Sequence, residues 1–326
     1  MEISVVVLAY NNREVLRTAL ARLAAQDFPR DAYEVIVSDD GSTDGTAEML
    51  RALEFPATLR HVVGPHAGIS AVRNRGARAA RGRAVLFMDS DFWAEPGLIA
   101  AHHRHYPPGA AKVAVQGATP IHRDSLTTPF MRVKEVSPDL TVRSRHRMSP
   151  YHTIFRNASV LKTDLEAAGG FDEAFPGYGY EDLDLALRMS AAGVAFEYEP
   201  DAVGFHYHVE DLVGVQRKMH DAGRSAWYLW NKHGRDRQLG LFLEILPWML
   251  PVKRLVYGTP LVMPLLRGLV PIGERRGWLL LLNECYKNLL QEAYYGGVFE
   301  AQRSPAARSR ERAPTALGGG PDHGGT

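Results

Sequence analysis

The sequence predicts an α/β fold in which helices flank a central, mainly parallel sheet, with a helical region appended after it. Three observations predict this. Between residues 3 and 117, short β-branched runs alternate with helical patterns, as crossover units on one sheet require. Polar clusters sit where the strand runs stop, and beyond Asp211 the alternation gives way to helical periodicity alone.

The first strand, residues 3–9, reads ISVVVLA and closes on Tyr10-Asn11-Asn12. In the helix expected over 13–25, Val15, Leu16, Ala19, Leu20 and Leu23 recur at helical spacing, so one face can cover the sheet. A strand over 33–38 ends in Asp39-Asp40-Gly41-Ser42, where Ser42 or Thr43 is placed to cap a helix over 44–53. A strand over 58–63, a helix over 69–80 and a strand over 84–88 follow, the last running into Asp89-Ser90-Asp91. A helix over 96–105 and a strand over 112–116 complete this half. Ligands of open parallel sheets bind at the carboxyl ends of strands, so the three polar clusters mark the expected site.

Residues 118–150 are rich in Arg, His, Ser, Thr and Pro and read as a long connection or lid. Strands near 152–155, 196–198 and 203–207, a loop over 169–180 and a helix over 181–192 complete a domain spanning 1–210. In the helical region, 211–301, two apolar stretches of about 12 residues (239–250 and 255–266) are interrupted by prolines and separated by Lys253-Arg254, against roughly 20 residues for a membrane-spanning helix. They read either as interfacial helices on a membrane, flanked by Lys253, Arg254, Arg267, Arg275 and Arg276, or as helices that pack on the main domain or form a homodimer. The segment 302–326, rich in Arg, Ser, Pro and Gly, reads as a disordered tail.

Composition narrows the function classes. A length of 326 residues, 45% hydrophobic and 23% charged, suits a sizeable core. A net charge of +1 supplies no field for drawing in nucleic acid, so a nucleic-acid partner is not expected. The single cysteine, Cys285, excludes a disulfide framework and a cysteine-rich zinc site, and fits a reducing cytosol. The start, Met1-Glu2 followed directly by a strand, carries no visible secretion signal.

Four groups of residues can carry chemistry. Asp89 and Asp91 emerge from the apolar run AVLFM, and such hard oxygen ligands suit Mg²⁺ or Mn²⁺ shared with substrate phosphates, although acid pairs of this kind are common in loops. Asp39-Asp40 exceeds what turn and cap chemistry requires. Arg73 can contact a nucleotide or hold a carboxylate, whereas Arg75, Arg78 and Arg81 read as a solvated basic face. In GGFDEAFPGYGYEDLDLALR, Glu181-Asp182 opens a helix whose first turn already holds Asp184, so the pair is not needed to complement the dipole. His206 and His208 alternate on FHYH and share a face, from which an imidazole can complete a Mn²⁺ site begun by Asp91.

The stretches ISVVVLAYNN, DDGSTDGT, GISAVRNRGARAARGRAVLFMDSD and GGFDEAFPGYGYEDLDLALR, in this order between residues 3 and 208, resemble the inverting family 2 glycosyltransferases, which have the GT-A fold. The resemblance implies a nucleoside-diphosphate sugar donor, most simply a UDP-sugar, and a carbohydrate or lipid-linked acceptor. It implies that Ala9, Tyr10 and Asp40 surround the base, with Arg73 nearby. It implies that Asp89, Ser90 and Asp91 form the metal–diphosphate motif and that His206 is a third metal ligand. It further implies that Asp182 is the catalytic base and Glu181 its acceptor-binding partner. The chain departs from the family at Phe92, where many members carry another acid, and at Pro65-His66-Ala67. A cytoplasmic enzyme of polysaccharide, cell-envelope or glycolipid synthesis, at the inner face of a membrane, is the expected setting. The alternatives are a sugar-phosphate nucleotidyltransferase, against which AYNN in place of a glycine-rich phosphate loop argues, and a non-catalytic carbohydrate-binding scaffold.

Overall fold

Runs of Val, Ile and Leu flanked by helical segments leave no solvent face for the strands they form. Every residue of β1 (Ile3–Ala9) and β2 (Tyr33–Asp39) is buried, as both-sided cover by helices requires. The computed structural model describes residues 1–136, 147–258 and 262–304. The sheet continues with β3 (Thr58–Val63), β4 (Ala84–Asp89), the short β5 (Phe92–Ala94), β6 (Val113–Ala118), β7 (Asn157–Leu161) and β8 (Ala195–His206). Its order is β3-β2-β1-β4-β7-β6-β8-β5.

Strands β1 to β4 pair in parallel, as do β6 and β8, while β7 runs antiparallel to β4 and β6 and β5 runs antiparallel to β8. The sheet is therefore mixed, with only β5 and β7 reversed against the common direction. Helices α1 (Arg13–Ala24), α2 (Thr46–Ala52), α3 (Ile69–Ala79) and α4 (Leu98–His103) follow the first strands. Leu16, Leu20 and Leu23 of α1 pack with Val5, Val35 and Leu86 on one face. On the other, Val72 and Ala77 of α3 meet Val6, Ile36 and Phe87, joined by Leu185 and Met189 from α7 (Glu181–Ala191). Between these lie α5 (Pro129–Val136) and α6 (Lys162–Ala167).

Three expectations shift. The strand expected near 152–155 is a short 3₁₀ turn, Pro150–His152, and the strand begins at Asn157. Its buried polar residues hide the pattern: Asn157 and Ser159 are satisfied by His102, at 2.9 and 2.8 Å, and burial lowers that imidazole's pKa to about 4. The runs 196–198 and 203–207 form one strand, β8, which passes through Pro200 opposite a register shift between Gly117 and Ala118. Neither Ser42 nor Thr43 caps α2. Asp44 does the local work, accepting from the Thr46 amide at 3.2 Å and hydroxyl at 2.6 Å, while Ser42 Oγ accepts from the Asn11 amide. The expected connection over 118–150 contains α5, and its residues 137–146 lie outside the described residues, as does 305–326 of the expected tail.

The helical region comprises α8 (Leu212–Lys232), α9 (Arg237–Phe242), α10 (Leu250–Gly258), α11 (Val262–Arg276) and α12 (Leu279–Arg303). Helices α8 and α12 cross on glycine: a Cβ on Gly223 would stand 1.9 Å from the Tyr294 carbonyl oxygen, and one on Gly297 1.9 Å from that of His220. Asp184, fully buried in α7, ties this region to the domain by accepting from Arg188, Lys232 and His233.

Candidate active site

The polar clusters meet at the carboxyl ends of β1, β2 and β4, where Ala9, Tyr10, Asp40, His66, Asp89, Ser90 and Asp91 line a cleft of about 290 Å³. Asp39 and Asp40 divide the labour at the end of β2. Asp39 accepts from the Ser42 amide at 2.8 Å and meets His61 at 3.0 Å, so it fixes the turn. Asp40 accepts from the amides of Ala67 and Gly68 at 2.9 and 3.1 Å and pairs with His66 at 2.8 Å. It thereby holds the segment before α3 against the cleft. The His66 ring stacks on Tyr10 at 4.4 Å, giving the cleft an aromatic wall. Arg75 departs from the expected solvated face: its guanidinium donates to the Asp39 carbonyl at 2.7 Å.

At the end of β4, the Asn12 amide donates to Ser90 Oγ. Asp91 Oδ2 lies 3.3 Å from His206 Nε2 and 3.2 Å from His208 Nδ1, and its Oδ1 is buried with no hydrogen-bond partner. Burial works against the Asp91 charge, but the bonds from the two imidazoles hold its carboxyl well below the usual range. Asp91 and Glu210 in turn raise the His208 pKa to about 9. One ligand atom from each of Asp91, His206 and His208 lies within 4.8 Å of the others. A buried carboxylate oxygen without a partner, beside two imidazoles, is a donor set that fits a divalent cation. Asp89 stands outside this triad, facing Arg156 at 3.9 Å, and burial raises its pKa despite Arg73.

The third cluster follows from the start of α7. Tyr180, at φ 70°, adopts the left-handed conformation immediately before it, and the next two side chains turn inward. Arg73, 2% exposed, donates through Nη1 to Glu181 Oε1 at 3.0 Å and to Asp182 Oδ1 at 2.6 Å, with its guanidinium 5.0 Å from the Phe171 ring centre. Asp182 Oδ2 accepts from the Phe155 amide at 3.1 Å. Burial raises the Asp182 pKa to about 7, with Arg73 opposing and Glu181 reinforcing the shift. Glu181 Oε2 is buried without a partner. Adjacent residues link the groups: Phe155 bonds Asp182, while Arg156 meets Asp89 and lies 3.2 Å from His206 Nδ1.

Comparison with known proteins gives this arrangement a lineage. The family model described as glycosyl transferase family 2 matches residues 4–156, and one described as N-terminal domain of galactosyltransferase matches 138–212. Over residues 4–156, just under half of its length, the chain is similar to glycosyl transferase family 2. Among curated relatives, a validoxylamine A glucosyltransferase of Streptomyces hygroscopicus subsp. jinggangensis is 29% identical over 256 residues, covering 70% of this chain and 58% of its own length. The uncharacterized glycosyltransferase YfnE of Bacillus subtilis is 28% identical, with 74% and 73% covered. The chain thus spans little more than half of the first of these relatives.

Solved structures show the GT-A fold. The mannosyltransferase PcManGT from Pyrobaculum calidifontis, in complex with GDP-Man and Mn²⁺, superposes with a TM-score of 0.58 at 20% identity, over 90% of this chain and 86% of that one. S. aureus TarS 1-349, in complex with UDP, gives 0.52 at 18% identity, over 89% and 92%.

Within the candidate site, the structure brings Ala9, Tyr10, Asp40, Asp89, Ser90 and Asp91 to one cleft and His206 to Asp91. It gives Arg73 to the Glu181–Asp182 pair, the second of the two roles open from sequence. Sequence reasoning missed His66, Arg156 and Glu210. Only His66 carried a signal, as the aromatic residue in the departure Pro65-His66-Ala67.

Proposed function

We propose that the protein is an inverting, metal-dependent glycosyltransferase that moves a sugar from a nucleoside-diphosphate carrier to an acceptor hydroxyl in polysaccharide, cell-envelope or glycolipid synthesis. The observation that carries the reading is Asp182: a buried carboxylate with a pKa of about 7, fixed by Arg73 and the Phe155 amide, in the same site as the Asp89-Ser90-Asp91 motif. A general base is most useful with its pKa near the working pH.

In this reading Tyr10 and His66 pack against the base and Asp40 holds the loop that shapes its pocket. Asp182 Oδ takes the acceptor hydroxyl's proton as that oxygen bonds the anomeric carbon, and the carbon–oxygen bond to the diphosphate breaks with its electron pair leaving on the phosphate. Configuration inverts because the single displacement is in line. Asp91, His206 and His208 would hold the divalent cation, which supplies neutralising charge for the departing diphosphate when bound. Two imidazoles in the set favour Mn²⁺ over Mg²⁺. Uridine is the preferred base, supported by the TarS complex with UDP.

A nucleotidyltransferase is disfavoured because Tyr10-Asn11-Asn12, not a glycine-rich loop, follows β1; a bare scaffold has no use for a carboxyl tuned to about 7. The test is a thermal-shift panel of nucleotide sugars with and without Mn²⁺, followed by product analysis with Asp182→Asn. A UDP-sugar should stabilise the protein more with Mn²⁺ present. No stabilisation by any donor, or near-wild-type turnover in the variant, would overturn the reading.

A further inference from the structure

Large apolar side chains left in solvent are ordinary when scattered and informative when gathered. Of nineteen such exposed side chains among the described residues, twelve fall between Leu241 and Leu280. On α10, Val252, Leu255 and Val256 share one face by helical spacing, and on α11, Val262, Leu265 and Ile272 do so. The opposite side of α11 is already used: Met263 and Val270 pack with Leu282, Tyr286 and Leu289 of α12 and with Phe130 and Met131 of α5. The outer stripe is therefore additional to the core. Trp248 is 69% exposed, Leu255 68%, Leu265 64% and Leu280 85%.

The charge around this face decides what covers it. Between residues 250 and 280, the chain carries Lys253, Arg254, Arg267, Arg275 and Arg276 against a single acid, Glu274. Lys253 and Arg267 pair with Glu244 and Glu292, but no salt bridge engages Arg254, Arg275 or Arg276 among the described residues. Arg276 lies 5.4 Å from the Trp278 ring centre, the aromatic and cationic pairing suited to a headgroup layer. A symmetric contact with a second copy would set this cationic rim against itself.

Among the described residues no single helix is long and apolar enough to cross a membrane. The 15 residues of α11 reach about 22 Å, short of a hydrocarbon core of about 30 Å, and α10 and α11 are bent by 56°. We propose that α10, α11 and the start of α12 form a docking surface for an anionic bilayer leaflet, lying in its headgroup region with Val252, Leu255, Val262, Leu265 and Leu280 inserted. The seat is close to the chemistry: α11 packs on α5, whose Lys134 pairs at 2.9 Å with Glu210, the partner of His208.

The experiment is co-sedimentation of the full chain with vesicles of phosphatidylcholine alone or with about one third phosphatidylglycerol, and it reads binding without reference to turnover. The wild type should partition onto the anionic vesicles and leave them as salt rises. Leu255→Glu/Leu265→Glu should lower partitioning at least about tenfold while retaining the far-ultraviolet circular dichroism and thermal midpoint of the wild type, since both side chains are already exposed. Arg275→Glu/Arg276→Glu should abolish the preference for the anionic vesicle, by roughly fivefold or more per arginine. The proposal is overturned if the wild type stays in the supernatant, if the leucine variant sediments undiminished, or if light scattering shows a wild-type dimer that the leucine variant alone disrupts.

Discussion

Arg73 Nη1 stands 2.6 Å from Asp182 Oδ1, and its guanidinium serves Glu181 as well. One buried cation thus holds two neighbouring carboxyls in place. Burial nevertheless dominates at Asp182, which keeps a pKa of about 7.

Turnover should therefore fall with an apparent pKa of about 7 as the medium is acidified, because the protonated carboxyl cannot accept a proton. Asp182→Asn should lower kcat by about 10² to 10⁴ and remove that limb. A carboxyl whose folded pKa is raised contributes its stability below the unfolded value near 3.8 and loses it as pH rises through about 7. The variant should consequently gain in thermal midpoint relative to the wild type at about pH 8 but not at about pH 4, measured by calorimetry. A midpoint difference independent of pH would contradict the assignment.

Arg73→Met leaves Glu181 and Asp182 facing each other without their shared cation. Breaking a buried pair of this kind costs about 3 to 5 kcal/mol, readable by urea unfolding. In the surviving fraction the acid limb of the rate profile should move to higher pH, since Arg73 is what lowers the Asp182 pKa. Arg73→Lys should restore part of the stability and less of the geometry, since a compact ammonium replaces the planar guanidinium whose Nη1 meets both carboxyls.

Asp184 carries the link between the sheet domain and α8. Its carboxyl is held at about 2: His233, Lys232 and Arg188 outweigh the burial that opposes its charge. Asp184→Asn should cost about 3 kcal/mol at neutral pH. A depressed folded pKa gives stability that is present above about 4 and lost as pH falls through about 2, so the gap between wild type and variant should close over that window. Chemical denaturation at several pH values would show the gap or its absence.

At the proposed base pocket, His66→Ala removes the ring stacked on Tyr10 and one partner of Asp40. Loss of an aromatic pair worth about 0.5 to 1.5 kcal/mol predicts nucleotide affinity weaker by roughly 2- to 12-fold in calorimetric titration, with the Asp182-dependent pH limb unchanged. A shifted limb would mean that the loop also positions the base.

Much of this site was legible because strand ends announce themselves. Asp40, Asp89 and Asp91 each close a predicted apolar run, and Glu181-Asp182 opens a helix that did not need them. Less legible were groups whose role depends on distant partners. Arg156 carries no periodic signal, and it matters only because β7 is laid beside β4. The strand itself was misplaced because Asn157 and Ser159 are polar, and only the burial of His102 against them makes that pattern a strand. Arg75 looked like surface charge because a backbone carbonyl partner leaves no trace in composition.

The reversal of β7 has a chemical corollary. The strands β4 and β6 on either side run the other way and reach the rim of the site with their carbonyl termini, which can offer a carboxylate only more negative charge. A strand laid the other way delivers its amino-terminal approach to the same rim, and so brings the Phe155 amide proton and the Arg156 guanidinium to face the acids. One inverted segment thus balances the polarity of the whole ledge.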